Sequence, residues 1–287
     1  MDPVRVRACA KINLGLKVMG RRADGYHDIL SVFQTLDLYD LLIFEPAGLG
    51  RIEIVCDDAG MPTGRENLIY RAVEALWGRL QKPPGVRVTL EKRIPVGAGL
   101  GGGSSDAAAT LVTLNRVWAL RLPEADMHAL AGQLGSDVPF FLRHGTAIVT
   151  GRGERLRYVP WCEAVHYVLV YPGFQVSSGW AYRNLKIRLT ETSKYVNLLR
   201  SAGDKGICSA MLLGCLENDF LPLLAETYPE VGPILDALKA SGASACSLSG
   251  SGSTLYGVFE ARRRAEDAAA DLRAKGYQVT LCRPKDI

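Results

Sequence analysis

The densest chemical signal in the chain is Pro95-Val96-Gly97-Ala98-Gly99-Leu100-Gly101-Gly102-Gly103-Ser104-Ser105-Asp106, in which five of the seven residues from 97 to 103 are glycine. Glycine takes positive φ freely and lets the backbone approach a ligand closely. The run lies between a strand pattern and an Ala-rich helical pattern. Successive backbone N–H groups and a helix N-terminus would then converge as partial positive charge, a cradle for phosphate. A mobile linker is the bland alternative, but a helix start directly after the glycines suits an anion site better. Two charged side chains also stand out. Asp137 precedes the apolar run Val138-Pro139-Phe140-Phe141, where a carboxylate is poorly solvated unless partnered; stabilising a helix dipole is its bland role. Lys11 interrupts the apolar Ala10-Lys11-Ile12, with a snorkelling strand edge as its alternative. Asn13 lies two residues on, so on a strand it shares a face with Lys11.

Spacing narrows the kind of cradle. A Walker A loop ends in Gly-Lys and then Ser or Thr, and no Lys follows Gly103. Gly97, Gly99 and Gly102 match G-x-G-x-x-G. A dinucleotide fold also needs a second parallel strand after the helix and an acid about 20 residues on. Here a second helix, opening near Pro123, takes that place. The protein-kinase signatures V-A-I-K and H-R-D-x-x-x-x-N do not occur.

The elements that must position these groups alternate between strand and helix patterns, which predicts mixed α and β. Val4, Val6 and Ala8 alternate with arginines, and Ile52 with Ile54 and Val86 with Val88 and Leu90 repeat the half-buried strand pattern. Asn67 is the expected cap of a helix with Ile69, Val73, Leu76 and Leu80 on one face. Ser104 or Ser105 is expected to cap a helix over 106–120, with Ala107, Leu111, Leu114 and Trp118 sharing a face. Pro123 opens a helix ending near Gly135. Further on, 217–225 and 229–241 read as a helical pair, 261–275 as a helix stopped by Gly276, and 277–282 as a closing strand. The turn-rich Gly151-Arg152-Gly153-Glu154 and the fresh strand from His166 divide the chain into two expected domains, 1–155 and 156–287. Residues 185–207 read as a polar loop or short helix.

The chain has 287 residues, 48% apolar and 22% charged, enough for real cores. A net charge of +4 predicts neither a nucleic-acid nor a membrane-surface binder. The seven cysteines, at 9, 56, 162, 208, 215, 246 and 282, are odd in number and form no C-x-x-C. They read as free thiols in a reducing cytoplasm, not as a disulfide framework or a closely spaced zinc site. Two windows of low charge, 164–182 and 240–259, carry Gly, Ser or Pro and are not continuous apolar runs, so no membrane span is expected. The N-terminal residues lack the apolar core of a signal peptide.

Three segments taken together, Ala10-Lys11-Ile12-Asn13-Leu14, Pro95–Ser105 and Leu248-Ser249-Gly250-Ser251-Gly252-Ser253-Thr254, resemble the galactokinase, homoserine, mevalonate and phosphomevalonate kinase superfamily. Its phosphate loop has the form Pro-x-x-x-Gly-Leu-Gly-(Gly or Ser)-Ser-Ser. With Arg22-Ala23-Asp24-Gly25-Tyr26-His27 and Gly135-Ser136-Asp137-Val138-Pro139-Phe140-Phe141, the chain is similar to the 4-diphosphocytidyl-2-C-methyl-D-erythritol kinase family. The likeness runs from Val6 to about Phe259, strongest through residue 142 and weakest over 183–245. It implies an α+β fold of two domains. The N-terminal domain would be of the ribosomal protein S5 domain 2 type and the C-terminal one ferredoxin-like, with the active site in the cleft between. It further implies transfer of the ATP γ-phosphoryl group to the 2-hydroxyl of the erythritol moiety, in the non-mevalonate isoprenoid pathway.

By this resemblance Asp137 is the general base and Lys11 keeps it ionised while balancing phosphoryl charge. Asn13 contacts substrate. Tyr26 stacks on the cytosine and His27 bonds its edge. Tyr182 covers the opposite face, where a Phe is also common in the family, and Ser178 meets the substrate. Pro95, Val96, Gly97, Ala98, Gly99, Leu100, Gly101, Gly102, Gly103, Ser104 and Ser105 hold ATP, with Asn67, Leu68 and Lys92 at the adenine. Gly250, Ser251 and Gly252 line the substrate side. Mg²⁺ is expected with ATP, and its protein ligands are left open. The expected partner is a small cytidyl-diphosphate alcohol, with no nucleic acid or membrane, for a monomer or homodimer. The alternatives are a sister kinase for homoserine or a mevalonate derivative, a nicotinamide oxidoreductase and a non-catalytic nucleotide-binding module. The segment 24–27 opposes the first, the missing acid and strand the second, and retention of both Lys11 and Asp137 the third.

Overall fold

The computed structural model describes residues 2–161, 164–186, 193–202, 207 and 209–285. The expected thiols Cys162 and Cys208 and part of the 185–207 segment lie outside them; none of the five described cysteines is in a disulfide. The chain packs as two compact units, each assembled from several segments. Strands β1 (Val4–Arg21) and β2 (His27–Ala47) pair with each other, and each contributes to both units. Lys11 therefore lies in mid-strand rather than at the strand end that its local sequence suggested.

The first unit comprises Met1–Ala10, Leu38–Pro95 and Gly101–His144. Here β3 (Ile52–Cys56) runs parallel to β4 (Gly85–Glu91), and β4 runs antiparallel to β2, from Leu41 opposite Glu91 to Ala47 opposite Gly85. Helices α1 (Leu68–Trp77), α2 (Gly102–Val117) and α3 (Glu124–Leu134) pack on one another, and a 3₁₀ turn, Val138–Leu142, packs on α2 and α3. Ile69, Val73 and Leu76 of α1 and Ala107, Leu111 and Leu114 of α2 are buried, as are Phe44, Val86, Val88 and Leu90 of the strands. Each large aliphatic or aromatic among them contributes about 1.5–3 kcal/mol on burial. Asn67 caps α1 as expected: its Oδ1 accepts from the Ile69 N–H at 2.8 Å. Leu80 falls beyond the helix, which closes at Gly78.

The start of α2 departs from expectation. The helix begins at Gly102, its cap residue is Gly101 at φ 71°, and no side chain caps it. Ser104 and Ser105 lie within the first turn, where their own N–H groups are already helical; the Ser105 N–H donates to Gly101 O at 2.9 Å. The left-handed backbone at Gly101 turns the chain into the helix four residues early, and a serine could not adopt it cheaply. The helix also ends earlier, at Val117, with Trp118 past its end and Ala119 and Arg121 at positive φ.

The second unit comprises Lys11–Asp37, Val96–Leu100 and Gly145–Ile287. β5 (Thr146–Thr150) pairs antiparallel with β2, Gln34 opposite Thr146, and with β6 (Arg155–Tyr158). A separate antiparallel sheet holds β7 (His166–Tyr171), β8 (Ala245–Leu248), β9 (Leu255–Phe259) and β10 (Gln278–Cys282), in the order β10-β7-β9-β8. Between β7 and β8 come α4 (Ser178–Asn184), α5 (Lys194–Ser201), α6 (Ser209–Leu213), α7 (Phe220–Thr227) and α8 (Val231–Ala240); α9 (Arg262–Ala274) precedes β10. A strand, helices, two strands, a helix and a strand, in spatial order fourth-first-third-second, make the expected ferredoxin-like arrangement. The first window of low charge becomes β7, a turn and the start of α4, and the second becomes β8 and β9 with their turns. Among the described residues no helix is long and apolar enough to cross a membrane.

Asn67→Ala should lower stability by about 1 kcal/mol through loss of the cap, whereas Asn67→Ser should retain most of it. Urea unfolding of both variants checks this; equal midpoints would mean that the cap contributes nothing.

Candidate active site

In the second unit, the three motif segments are joined by hydrogen bonds. The Lys11 N–H donates to Leu100 O at 3.0 Å and the Thr254 N–H to Ala98 O at 3.1 Å. Ser249 Oγ donates to Gly99 O at 2.8 Å and accepts from the Asn13 N–H at 3.3 Å. The Val176 N–H reaches Gly97 O at 3.3 Å. Gly99 sits at φ +77°, and a Cβ there would lie 2.1 Å from Ser249 O, so only glycine fits. Asn218 holds the last motif from behind, donating from Nδ2 to Leu248 O at 2.8 Å and Gly250 O at 3.0 Å.

Lys11 and Asn13 are buried and share a strand face, as their spacing predicted. Lys11 Nζ donates to Asn13 Oδ1 at 2.7 Å and lies 4.3 Å from the Phe33 ring centroid. Asn13 Nδ2 donates to Ser31 Oγ at 2.9 Å, and Ser31 in turn donates to Gly15 O. The side-chain amide is thus oriented with its oxygen toward the ammonium. Gly250 closes this corner: a Cβ there would be 3.4 Å from Asn13 Oδ1. Ser251 Oγ lies 3.0 Å from Ser178 Oγ, so two expected substrate contacts meet.

Tyr26 and His27 follow the β1–β2 turn. The Arg22 N–H donates to Tyr26 O at 2.8 Å, the Tyr26 N–H to Asp24 Oδ1 at 3.1 Å, and Gly25 takes φ +84°. His27, not Tyr26, stacks on Tyr182, with centroids 4.9 Å apart and planes 16° apart. Tyr182 meets Phe220 edge-on. The exposed Tyr26 ring carries the Arg152 guanidinium 4.7 Å from its centroid. Burial, followed by the Arg21 charge, pushes the His27 imidazole below its ordinary value of 6.5. At neutral pH it is therefore uncharged, with one ring nitrogen donating and the other accepting.

In the first unit the uncapped start of α2 gathers the expected adenine residues. A Cβ on Gly103 would be 3.9 Å from Leu68, and one on Gly102 only 2.8 Å from Lys92 Nζ. Lys92 is no surface charge. Its ammonium bonds the buried Asp40 and reaches Asp106 Oδ2 at 3.3 Å. Burial opposes its charge, but the two carboxylates outweigh this and raise its pKa. Burial raises Asp106 to about 8, against the pull of Lys92. Asp137, also of this unit, is half-buried at the head of the 3₁₀ turn and does not cap it with its side chain. The helix-dipole role thus lacks the cap bond that usually accompanies it.

Sequence reasoning missed Asp40, Arg152 and Asn218. Asp40 had a signal: period-two alternation puts it on the face of Leu42 and Phe44, as it puts Lys92 on the face of Val86, Val88 and Leu90. Opposite charges on two inward faces invite pairing. Arg152 lies in a turn and Asn218 at an isolated bridge to Leu16, where no periodicity points to a partner.

Residues 67–145 match the family described as GHMP kinases N terminal domain, and 191–278 match GHMP kinases C terminal. A 4-diphosphocytidyl-2-C-methyl-D-erythritol kinase of Chlorobium limicola is 41% identical over 99% of this chain and 98% of its own. One from Pelotomaculum thermopropionicum is 42% identical over 96% of each. The chain belongs to the 4-diphosphocytidyl-2-C-methyl-D-erythritol kinase family. It is an ATP-dependent small-molecule kinase of the GHMP type. A crystal structure of a 4-(cytidine 5'-diphospho)-2C-methyl-D-erythritol kinase superposes with a TM-score of 0.82 at 35% identity, covering 99% of this chain and 100% of that one. A homoserine kinase from Cytophaga hutchinsonii shares the fold, with a TM-score of 0.78 at 17% identity over 99% of this chain and 95% of its own.

Within this kinase fold the crowding at Gly99 is testable. Gly99→Ala should cost about 1–3 kcal/mol by overpacking, beyond the backbone strain it shares with Gly25→Ala, where a Cβ meets nothing within 4 Å. Equal melting temperatures for the two variants would remove the crowding argument.

Asp106 gives a pH test. Its folded pKa of about 8 lies above the ordinary 3.8, so the folded chain holds this proton longer than the unfolded chain does. The associated stability is complete below 3.8 and is lost as pH rises toward about 8. Asp106→Asn does not titrate, so its Tm should gain on that of the parent across this window. Parallel Tm curves would contradict it.

Proposed function

We propose that this kinase transfers the γ-phosphoryl group of ATP to the 2-hydroxyl of 4-diphosphocytidyl-2-C-methyl-D-erythritol, a step of the non-mevalonate isoprenoid pathway. The observation that carries the reading is the welded motif set: Lys11 through Leu100, Asn13 through Ser249 and Thr254 through Ala98 form one bonded cluster. The near full-length relatives that bear this name support the acceptor.

In this reading Asp137 accepts or orients the proton of the acceptor hydroxyl as oxygen attacks phosphorus. The bond from phosphorus to the bridging β,γ-oxygen breaks, and ADP leaves. Lys11, with its amide partner Asn13, supplies positive charge to the transferred group; phosphoryl transfer depends mostly on such positioning and electrostatics. The uncapped start of α2 is suited to phosphate, because its first N–H groups lack a side-chain acceptor. Gly97 to Ser105 cradle the triphosphate, with Pro95, Val96, Asn67 and Leu68 beside the nucleotide. Neutral His27 can donate to or accept from a cytosine edge, and Tyr26 and Tyr182 offer rings to its faces. Ser178, Gly250, Ser251 and Gly252 face the alcohol.

Mg²⁺ accompanies ATP and offsets phosphate charge when bound. Among the described residues no group of three or more His, Cys, Asp or Glu side chains gathers to hold a metal. Residues 1–155 would bear the nucleotide and 156–287 the substrate side. The described cysteines, none of them in a disulfide, support a cytoplasmic location, as monomer or homodimer.

ADP release with Mg-ATP should require the cytidyl alcohol and be absent with homoserine, mevalonate or no acceptor. Turnover with another alcohol would keep the kinase and overturn the acceptor. Asp137→Ala should lower kcat by about 10² or more with ATP binding nearly intact; unchanged turnover would sink its assignment as the base. Tyr26→Ala should raise KM for the cytidyl alcohol and spare ATP, and a loss confined to ATP would put Tyr26 in the other pocket.

A further inference from the structure

Asp40 is fully buried, yet the expected site residues do not include it. Each of its oxygens is used. Oδ1 accepts from the N–H groups of Arg93 at 2.6 Å and Ile94 at 2.8 Å, the residues that lead into the glycine loop. Oδ2 accepts from Lys92 Nζ, which also reaches Asp106 Oδ2, one residue past the first turn of α2, at 3.3 Å. One carboxylate thereby holds the chain where it enters the loop and, through one ammonium, where it leaves. The space over Nζ is filled by the loop itself, since a Cβ on Gly102 would lie 2.8 Å away. The Lys92 side chain is 5% exposed, and its two bonded partners are protein carboxylates.

We infer that Asp40 is a positioning residue for the phosphate-holding start of α2, acting through Lys92, and that Lys92 supports the loop from beneath instead of touching the nucleotide. This rests on the reading that the loop holds the triphosphate of ATP. Charged groups removed from water are costly, so such a cluster is favoured where it fixes geometry. Asp40 and Lys92 face each other one step beyond the last paired residues of β2 and β4, Leu41 and Glu91. Strand register therefore sets the clamp, and the clamp sets the first turn of α2.

The test is the ATP dissociation constant measured without acceptor for Asp40→Asn, Lys92→Met and the double variant, alongside Tm and the KM for the alcohol. Each single variant should weaken ATP about tenfold, and the double no more than the weaker single, because both changes break one unit. KM for the alcohol should stay unchanged, a split that general destabilisation does not produce. Multiplying effects in the double variant would mean that Lys92 touches the nucleotide independently. An unchanged ATP constant in Asp40→Asn with lowered Tm would reduce Asp40 to a structural role; either result overturns the inference. If Asp40→Asn does not fold, Asp106→Asn combined with Lys92→Met reads the same coupling from the helix side. Absence of ATP binding by the parent chain would instead overturn the underlying nucleotide reading, and this inference with it.

Discussion

At Gly99 two stretches of backbone approach more closely than any side chain would permit, with the position of a Cβ only 2.1 Å from the Ser249 carbonyl oxygen. The loop carbonyls at Ala98, Gly99 and Leu100 can then be met by Thr254, Ser249 and Lys11. Three segments remote in sequence thus fix one loop by its acceptors. A loop fixed in this way does not have to be ordered by its ligand, so less binding energy is lost to ordering. The orientation of Asn13 follows from the same contact, because Ser249 bridges the Asn13 N–H to the loop. Lys11 is in turn held by Asn13.

The first unit solves a related problem with charge. Its glycine-rich helix start lacks a side-chain cap, and what holds it lies below: an ammonium between two buried carboxylates. Burial raises Asp106 to about 8 against the pull of Lys92. Each member of the cluster is bonded to another, which avoids leaving an isolated ion in the interior, the costliest arrangement available to it.

Much of this was legible in the residues. Period-two runs located β3 and β4, Asn67 marked the start of α1, and Pro123 and Gly135 bracketed α3. The glycine run marked the loop that leads into α2. The serines misled because a side-chain cap is the commoner device, whereas here a left-handed glycine starts the helix. The stacking of His27 on Tyr182 was not legible, because a hairpin turn sets ring direction in a way that alternation does not encode. Asp40 was readable only in part. Its place on an inward face is a matter of counting, but its partner is fixed by the register between strands 50 residues apart in sequence, and single-strand patterns do not contain register.

The final strand segment has a consequence for how the chain is made. Leu36 bridges to Pro284, the Lys285 N–H donates to Thr35 O at 2.9 Å, and the Arg283 side chain bonds Asp37 across a separation of 246 residues. β10 lies beside β7, whose partners on the other side come from the intervening chain. β1 can thus pair with β2 as soon as both are made, but the partner that Asp37 meets at Arg283 follows 246 residues later. Long-range closure of this kind slows folding and leaves early strands waiting with open edges. The order of synthesis therefore sets the schedule: this hairpin waits for a segment made 246 residues after it.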